Sequence, residues 1–283
     1  MGQYENDGKP KGTSKLSAKA VESINRQVRS LYTETGDTEP PDDWREEMPE
    51  ERFWYHYCRC AFSSRRNFDR VDESTNLIEK HLQGIHQKIE DDREGYENVL
   101  LDFISSKDIS RLFRTALAMK DRGLSFKRIL EGYALESGTE QPDASARQAR
   151  LYLTYDYAIV GLGTKNASMF LRKVGYYPHF ALLDVHVNDY LEAAGVVCPG
   201  TYDVSGLYDY YDVRHVKWEG YETVEAKFQG VARELGCPVK FADETIWRLV
   251  REEKKKQKYG EAMSFDEILR KGSSKARGAL TLD

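Results

Sequence analysis

The sequence predicts an all-α protein, and three observations carry that prediction. Apolar residues recur at helical spacing through most of the 283 residues, the spacing that gives a helix one buried face. Short turn signals separate the periodic stretches. Only Thr201–Trp218 departs from the pattern, with a run of tyrosine, glycine and β-branched residues that reads as a long loop or a small hairpin.

Taken in order, residues 1–13 are polar and read as a disordered tail. From Ser14, a candidate N-cap, the apolar positions Leu16, Ala20, Val21, Ile24, Val28 and Leu31 predict a first helix. Residues 34–51 then hold nine acids and one base around Pro40-Pro41, a net of −8 that reads as a solvated linker. The segment 14–50 is thus a helix plus an acidic linker, and 51–283 is the main domain. Within that domain helices are expected over 51–62, 72–88, 93–104, 107–121, 125–134, 143–158, 165–175, 185–194, 220–235, 242–257 and 264–271. Ser106 and Asp143 are candidate caps, and Gly123, Gly138 and Gly236 are candidate stops.

Composition narrows the function classes. A hydrophobic share of 40% and a charged share of 31% are ordinary for a water-soluble helical chain. No apolar run approaches the roughly 20 residues of a membrane span, and Met1–Lys11 lacks a signal peptide's apolar core. The cytoplasm is the expected compartment, with no membrane partner. Cys58, Cys60, Cys198 and Cys237 form no Cys-x-x-Cys pair and have no histidine at ligand spacing, so no metal or iron–sulfur site is expected and the cysteines read as buried thiols. The net charge of −5 is dominated by the acidic stretch, and the rest of the chain carries +3. Global charge therefore neither supports nor excludes a polyanionic ligand.

The segment 158–192 carries the chemistry. In Val160-Gly161-Leu162-Gly163-Thr164-Lys165, two glycines around one apolar residue allow a tight reversal between helices. Leu162 can tuck inward while the N–H groups of the hairpin and of the next helix's start point outward, at the positive end of the helix dipole. Such an arrangement binds phosphate without reading sequence. Ala167, Phe170, Leu171 and Val174 give the following helix one buried face, and Lys165 falls off it. Asp184 comes 19 positions after Lys165, just before the next helix, where a helix N-terminus favours an ionised carboxylate.

A Gly-x-Gly turn alone is common. Combined with Lys165, the intervening helix and Asp184-Val185-His186, it resembles the helix-hairpin-helix DNA glycosylases, and especially the compact archaeal-type class of 8-oxoguanine glycosylase/AP lyases, which lack an extra β-domain. Phe170-Leu171-Arg172-Lys173-Val174-Gly175 supports that class, and Phe241-Ala242-Asp243-Glu244-Thr245-Ile246-Trp247 resembles one of its late helices.

The resemblance implies a two-lobed helical fold with its active-site cleft between the lobes, one lobe holding roughly 72–192 and the other combining the first helix with the helices of 220–271. It implies that Lys165 attacks C1′ of a flipped nucleotide, that Asp184 assists by stabilising oxocarbenium character and accepting a proton, and that Gly161, Leu162, Gly163, Thr164 and His186 meet the backbone. A free lysine is neutral in roughly one molecule in 10³ at pH 7, so burial or a cationic neighbour is needed, with Arg172 and Lys173 as candidates. Arg65, Arg66 and Asn67 fall where the class places residues that fill the gap left by the base. Trp54, Tyr55, Trp247 and the tyrosines Tyr208, Tyr210 and Tyr211 are candidates to hold the base, with core packing as the competing explanation for each. The Lys254-Lys255-Lys256 cluster reads as a solvated helix end or as a phosphate contact.

The implied partner is double-stranded DNA carrying a modified base, bound by a monomer associated with the nucleoid and needing no cofactor. The class expectation is an oxidised purine such as 8-oxoguanine. Two alternatives stand beside it: excision of a hypermodified base from phage DNA, as an antiviral activity, and a non-catalytic DNA-binding protein that keeps the hairpin as a phosphate clamp. The acidic segment's alternative to a linker is competition with DNA for the basic face.

Overall fold

A computed structural model describes residues 16–36, 44, 48–63, 68–136, 142–197 and 214–259. Among them every regular element is a helix: α1 (Ala18–Thr35), α2 (Glu50–Phe62), α3 (Phe68–Leu82), α4 (Ile85–Asp91), α5 (Arg93–Leu101), α6 (Ser106–Asp121), α7 (Phe126–Glu136), α8 (Pro142–Tyr155), α9 (Thr164–Lys173), α10 (Val185–Ala193), α11 (Arg214–Leu235) and α12 (Val239–Tyr259). The fold class is all-α, as the periodicity predicts.

Local chemistry sets the boundaries, and several differ from the expected ones. Ser17, not Ser14, caps α1, accepting from the Ala20 N–H at 3.2 Å. Ser105, not Ser106, caps α6. The single helix expected over 72–88 is two, because Gly84 takes a left-handed φ of 63° that ends one helical path and starts another. α11 begins at Arg214, so the last residues of the stretch read as a loop or hairpin are helical. Residues 201–213, Gly138 and the helix expected over 264–271 lie outside the described residues.

The buried apolar side chains form two clusters. The first draws on α2–α9 and is rich in aromatics: Phe53, Trp54, Tyr57, Phe113, Phe126 and Phe170 are all at most 2% exposed. Burying such a side chain stabilises by roughly 1.5–3 kcal/mol. The second gathers α1, α10, α11 and α12 around Ile24, Val28, Tyr190, Tyr221, Phe228 and Ile246. α2 thus sides with the central helices, and α10 with the first and last ones.

Two buried ion pairs join the clusters. Arg150 of α8 meets Glu225 of α11 at 2.8 Å, and Arg172 of α9 meets Asp243 of α12. Buried charges of this kind must be paired, since each alone would be strongly disfavoured away from water.

Candidate active site

The hairpin is anchored from below. Val160 donates its N–H to Thr115 Oγ1 at 3.0 Å, and its carbonyl accepts from the Tyr57 hydroxyl at 2.6 Å. Gly161 follows with φ +96°, a value that L residues avoid. A Cβ there would meet Ala61 Cβ at 3.4 Å and Arg111 Cδ at 3.5 Å, ordinary contact distances, so the backbone conformation and not the available space favours glycine. Leu162 is 3% exposed and tucks inward, as its position between two glycines predicts. Gly163 is the N-cap of α9, and with no side chain it leaves the helix start without a side-chain cap. Thr164 is buried in the first turn.

Lys165 and Asp184 are brought together. Lys165 Nζ lies 3.5 Å from Asp184 Oδ2, and the two side chains are 37% and 14% exposed. The lysine stands on α9, whose buried face (Ala167, Phe170, Leu171, Val174) belongs to the first cluster. The aspartate caps α10, whose buried face belongs to the second. Its two oxygens divide their roles: Oδ1 accepts from the N–H groups of His186 at 2.9 Å and Val187 at 3.0 Å, leaving Oδ2 toward the amine.

The chain reaches Asp184 through 180–183, a segment held by buried side chains. Arg172 donates to the Phe180 carbonyl at 3.2 Å. The N–H groups of Ala181, Leu182 and Leu183 donate to Glu225 Oε1 at 3.0 Å, Asp243 Oδ2 at 2.9 Å and the Tyr221 hydroxyl at 3.3 Å. The sequence reading missed all of these acceptors. Their partners lie 38 or more positions away, so no local spacing marks them. A charged residue at a core position of an amphipathic helix is the one available signal, and Glu225 and Asp243 both carry it.

Charges around the pair are uneven. Cys60 is fully buried, and burial pushes its thiol up to about 12 although Lys173, Arg59 and Lys165 all pull it down. Burial, seconded by Arg59, lowers Lys173 from the usual lysine value. Arg172, expected as a cationic neighbour of Lys165, is instead 3% exposed and committed to Asp243 and Glu244. His186 is half-buried, and its Nδ1 has no hydrogen-bond partner among the described residues. Burial lowers its pKa; Asp184 and Asp189 oppose that shift, and Lys254 and Arg251 reinforce it.

The aromatic candidates separate. Trp247 is half-buried, with the His186 ring edge-on at 5.9 Å and the Arg251 guanidinium 5.1 Å from its ring centre, so it stands beside the second residue of α10, two positions after the Asp184 cap. Trp54 does not. It is 1% exposed and enclosed by Tyr57, His86 and Phe126, which corrects its assignment to a base pocket: it is a core side chain. Tyr55 is likewise occupied, donating to Asn76 at 2.6 Å beneath Arg52. Lys254 pairs with Asp189 of α10, so the first lysine of the basic cluster is not a free solvated end. Arg65, Arg66, Asn67, Tyr208, Tyr210 and Tyr211 lie outside the described residues.

Among the described residues no three His, Cys, Asp or Glu side chains are grouped to hold a metal ion. No described helix is long and apolar enough to cross a membrane.

Two comparisons bear on this site. Residues 87–236 match the family model described as 8-oxoguanine DNA glycosylase, of the helix-hairpin-helix type. That span contains the hairpin, Lys165, Asp184 and the buried Arg150–Glu225 pair. The 8-oxoguanine DNA glycosylase/AP lyase of Saccharolobus islandicus (strain Y.N.15.51 / Yellowstone #2) is 30% identical over 89 residues, which is 31% of this chain and 37% of that protein. The chain thus covers little more than a third of that relative's length.

Proposed function

Because the chain belongs to the 8-oxoguanine DNA glycosylase family of helix-hairpin-helix proteins, we propose that it excises a modified base from duplex DNA with Lys165 as nucleophile and Asp184 as its carboxylate partner. The observation that carries this reading is the 3.5 Å approach of Lys165 Nζ to Asp184 Oδ2, beside a helix start that no side chain caps. A phosphate clamp requires neither residue, so their meeting from two different core clusters favours catalysis over mere binding.

In this reading the hairpin N–H groups and the start of α9 hold a backbone phosphate, and His186 meets a second one. The target nucleotide leaves the stack, and Trp247 offers its ring to the base. Lys165 Nζ then bonds to C1′ as the glycosidic bond breaks, and the base leaves with that bond's electron pair and takes up a proton. Asp184 stabilises the positive character at C1′ and accepts the proton that the attacking amine loses. Ring opening gives a Schiff base. Loss of a C2′ proton then expels the 3′ phosphate oxygen, and water releases the amine. The protein works as a monomer without a cofactor, and its substrate class is an oxidised purine, the base that both comparisons name.

Borohydride trapping tests this directly. Wild type, Lys165→Gln and Asp184→Asn are incubated with duplexes bearing 8-oxoguanine, an abasic site or a modified cytosine. A covalent adduct formed by wild type and absent from Lys165→Gln is the expected result, with 8-oxoguanine trapped ahead of modified cytosine. Wild type that binds abasic DNA but forms no adduct refutes the lysine mechanism.

A further inference from the structure

We infer that Arg150 is a positioning residue for the excision reaction, tying the helix that carries Lys165 to the segment that ends in Asp184. The inference rests on the reading of Lys165 and Asp184 as the reacting pair.

Arg150 lies on α8 and is fully buried. Its Nη1 donates to Ser168 Oγ at 3.1 Å. Ser168 stands three positions after Lys165 and donates in turn to the Thr164 carbonyl at 3.0 Å, so this contact grips the first turn of α9. The same Nη1 also donates to both oxygens of Glu225 at 2.8 Å. Glu225 Oε1 is the atom that accepts from the Ala181 N–H, at 3.0 Å. One turn earlier on α11, the Tyr221 hydroxyl donates to the Ala181 carbonyl at 3.0 Å and accepts from Leu183 N–H at 3.3 Å. The peptide groups of 181 and 183 are therefore clamped by two side chains of one helix, immediately before Asp184. The Arg150 guanidinium lies 4.0 Å from the ring centre of Phe180 and 5.5 Å from that of Tyr221.

The continuous path runs from Lys165's helix turn through Ser168, Arg150, Glu225 and Ala181 to Asp184. A guanidinium suits this place because its rigid fork addresses several acceptors at fixed angles. Burial raises the Glu225 carboxyl above its usual range, and Arg150 is the chief opposing influence. Removing Arg150 would favour the protonated acid and free the clamp to shift. Misplacing a reacting group by about 1 Å can cost about 100-fold in rate; removing one partner of a buried ion pair is itself destabilising, so a change at Tyr221 that leaves the pair intact separates placement from stability.

The test uses the full chain with Arg150→Lys, Glu225→Gln and Tyr221→Phe. Three quantities are measured: the single-turnover rate of borohydride trapping on an abasic duplex with enzyme in excess, affinity for a duplex carrying a tetrahydrofuran abasic analogue, and amide exchange across 181–187. Trapping about 10- to 100-fold slower is expected, with affinity within about two-fold of wild type and faster exchange confined to that segment. Tyr221→Phe removes only a hydroxyl, so it carries the test if Arg150→Lys does not fold. Folded variants that trap at the wild-type rate overturn the positioning role, as does a uniform loss of affinity and protection across the whole chain. Wild type without any adduct sinks the lysine reading itself and this inference with it, a result distinct from either.

Discussion

Asp184 makes two separable contacts, and one pair of substitutions pulls them apart. Oδ1 caps α10 through the His186 and Val187 N–H groups, while Oδ2 faces Lys165. Asparagine is as good an N-cap as aspartate, so Asp184→Asn keeps the acceptor and loses only the charge. That charge interacts with the helix dipole, worth about 0.3–1 kcal/mol, and with a partly exposed lysine, worth about 0–1 kcal/mol after screening. The expected cost of asparagine is therefore about 1 kcal/mol. Asp184→Ala adds the loss of the cap, typically about 1 kcal/mol, for about 2 kcal/mol in all. In a chain of this size 1 kcal/mol moves Tm by about 2–4 °C, so the alanine variant melts clearly below the asparagine variant. Trapping on an abasic duplex behaves differently. Both variants lack the carboxylate that the proposed mechanism uses as proton acceptor, and both should fall by about 100-fold or more. Thermal melts and single-turnover trapping on the same preparations check the pattern. Equal melting losses in the two variants would refute the cap argument. Asparagine that traps within a few-fold of wild type would show that the carboxylate charge does no chemistry.

Three further predictions follow from the geometry. Gly161→Ala forces an L residue to φ +96°, so stability should fall by about 1–2 kcal/mol and affinity for abasic duplex should weaken, read by melting and fluorescence anisotropy. Trp247→Ala should slow excision from a base-bearing duplex by about 10- to 100-fold, the scale of one lost base–aromatic stack, while trapping on abasic DNA stays near wild type. Glu50 is pushed by burial up to about 7, against 4.5 for a free side chain. The folded state therefore holds a proton there that the unfolded state has released, and stability falls as pH rises from about 4.5 to 7. Glu50→Gln cannot titrate, so it should be more stable than wild type at pH 8, by up to about 3 kcal/mol and with a higher melting temperature, with the gap closing toward pH 5.

What the sequence discloses and what it conceals divide along a physical line. Helices and their buried faces are legible because spacing is local: Ala167, Phe170, Leu171 and Val174 announce the inner face of α9, and Lys165 is visibly off it. Asp184 is legible as a helix-start acid for the same reason. Cap residues are less secure, because neighbouring serines compete for one turn; Ser17 and Ser105 prevail over Ser14 and Ser106. Trp54 misleads because an aromatic near a charged, irregular segment looks the same in sequence whether it faces a ligand or the core. The contacts with Phe126, 72 positions on, decide the matter. Arg150, Glu225, Tyr221 and Asp243 are concealed for that reason too, since what they hold is a backbone segment of another part of the chain.

The cost of those concealed residues bears on the reading of the site. Taking Arg150, Glu225, Arg172 and Asp243 out of water costs several kcal/mol per ion, and their mutual attraction does little better than offset it. Apolar side chains of similar size would join the two clusters at least as firmly. What apolar packing cannot supply is a set of directed acceptors for the N–H groups of Ala181 and Leu182. Those bonds fix the approach of the chain to Asp184, whose Oδ2 faces an amine in an ion pair worth about 0–1 kcal/mol at this exposure. A structural role for the lysine–aspartate pair would leave four buried charges stabilising a contact of almost no energetic value. The proposed catalytic role would account for them, because a rate responds to the placement of two groups far more steeply than stability responds to their attraction.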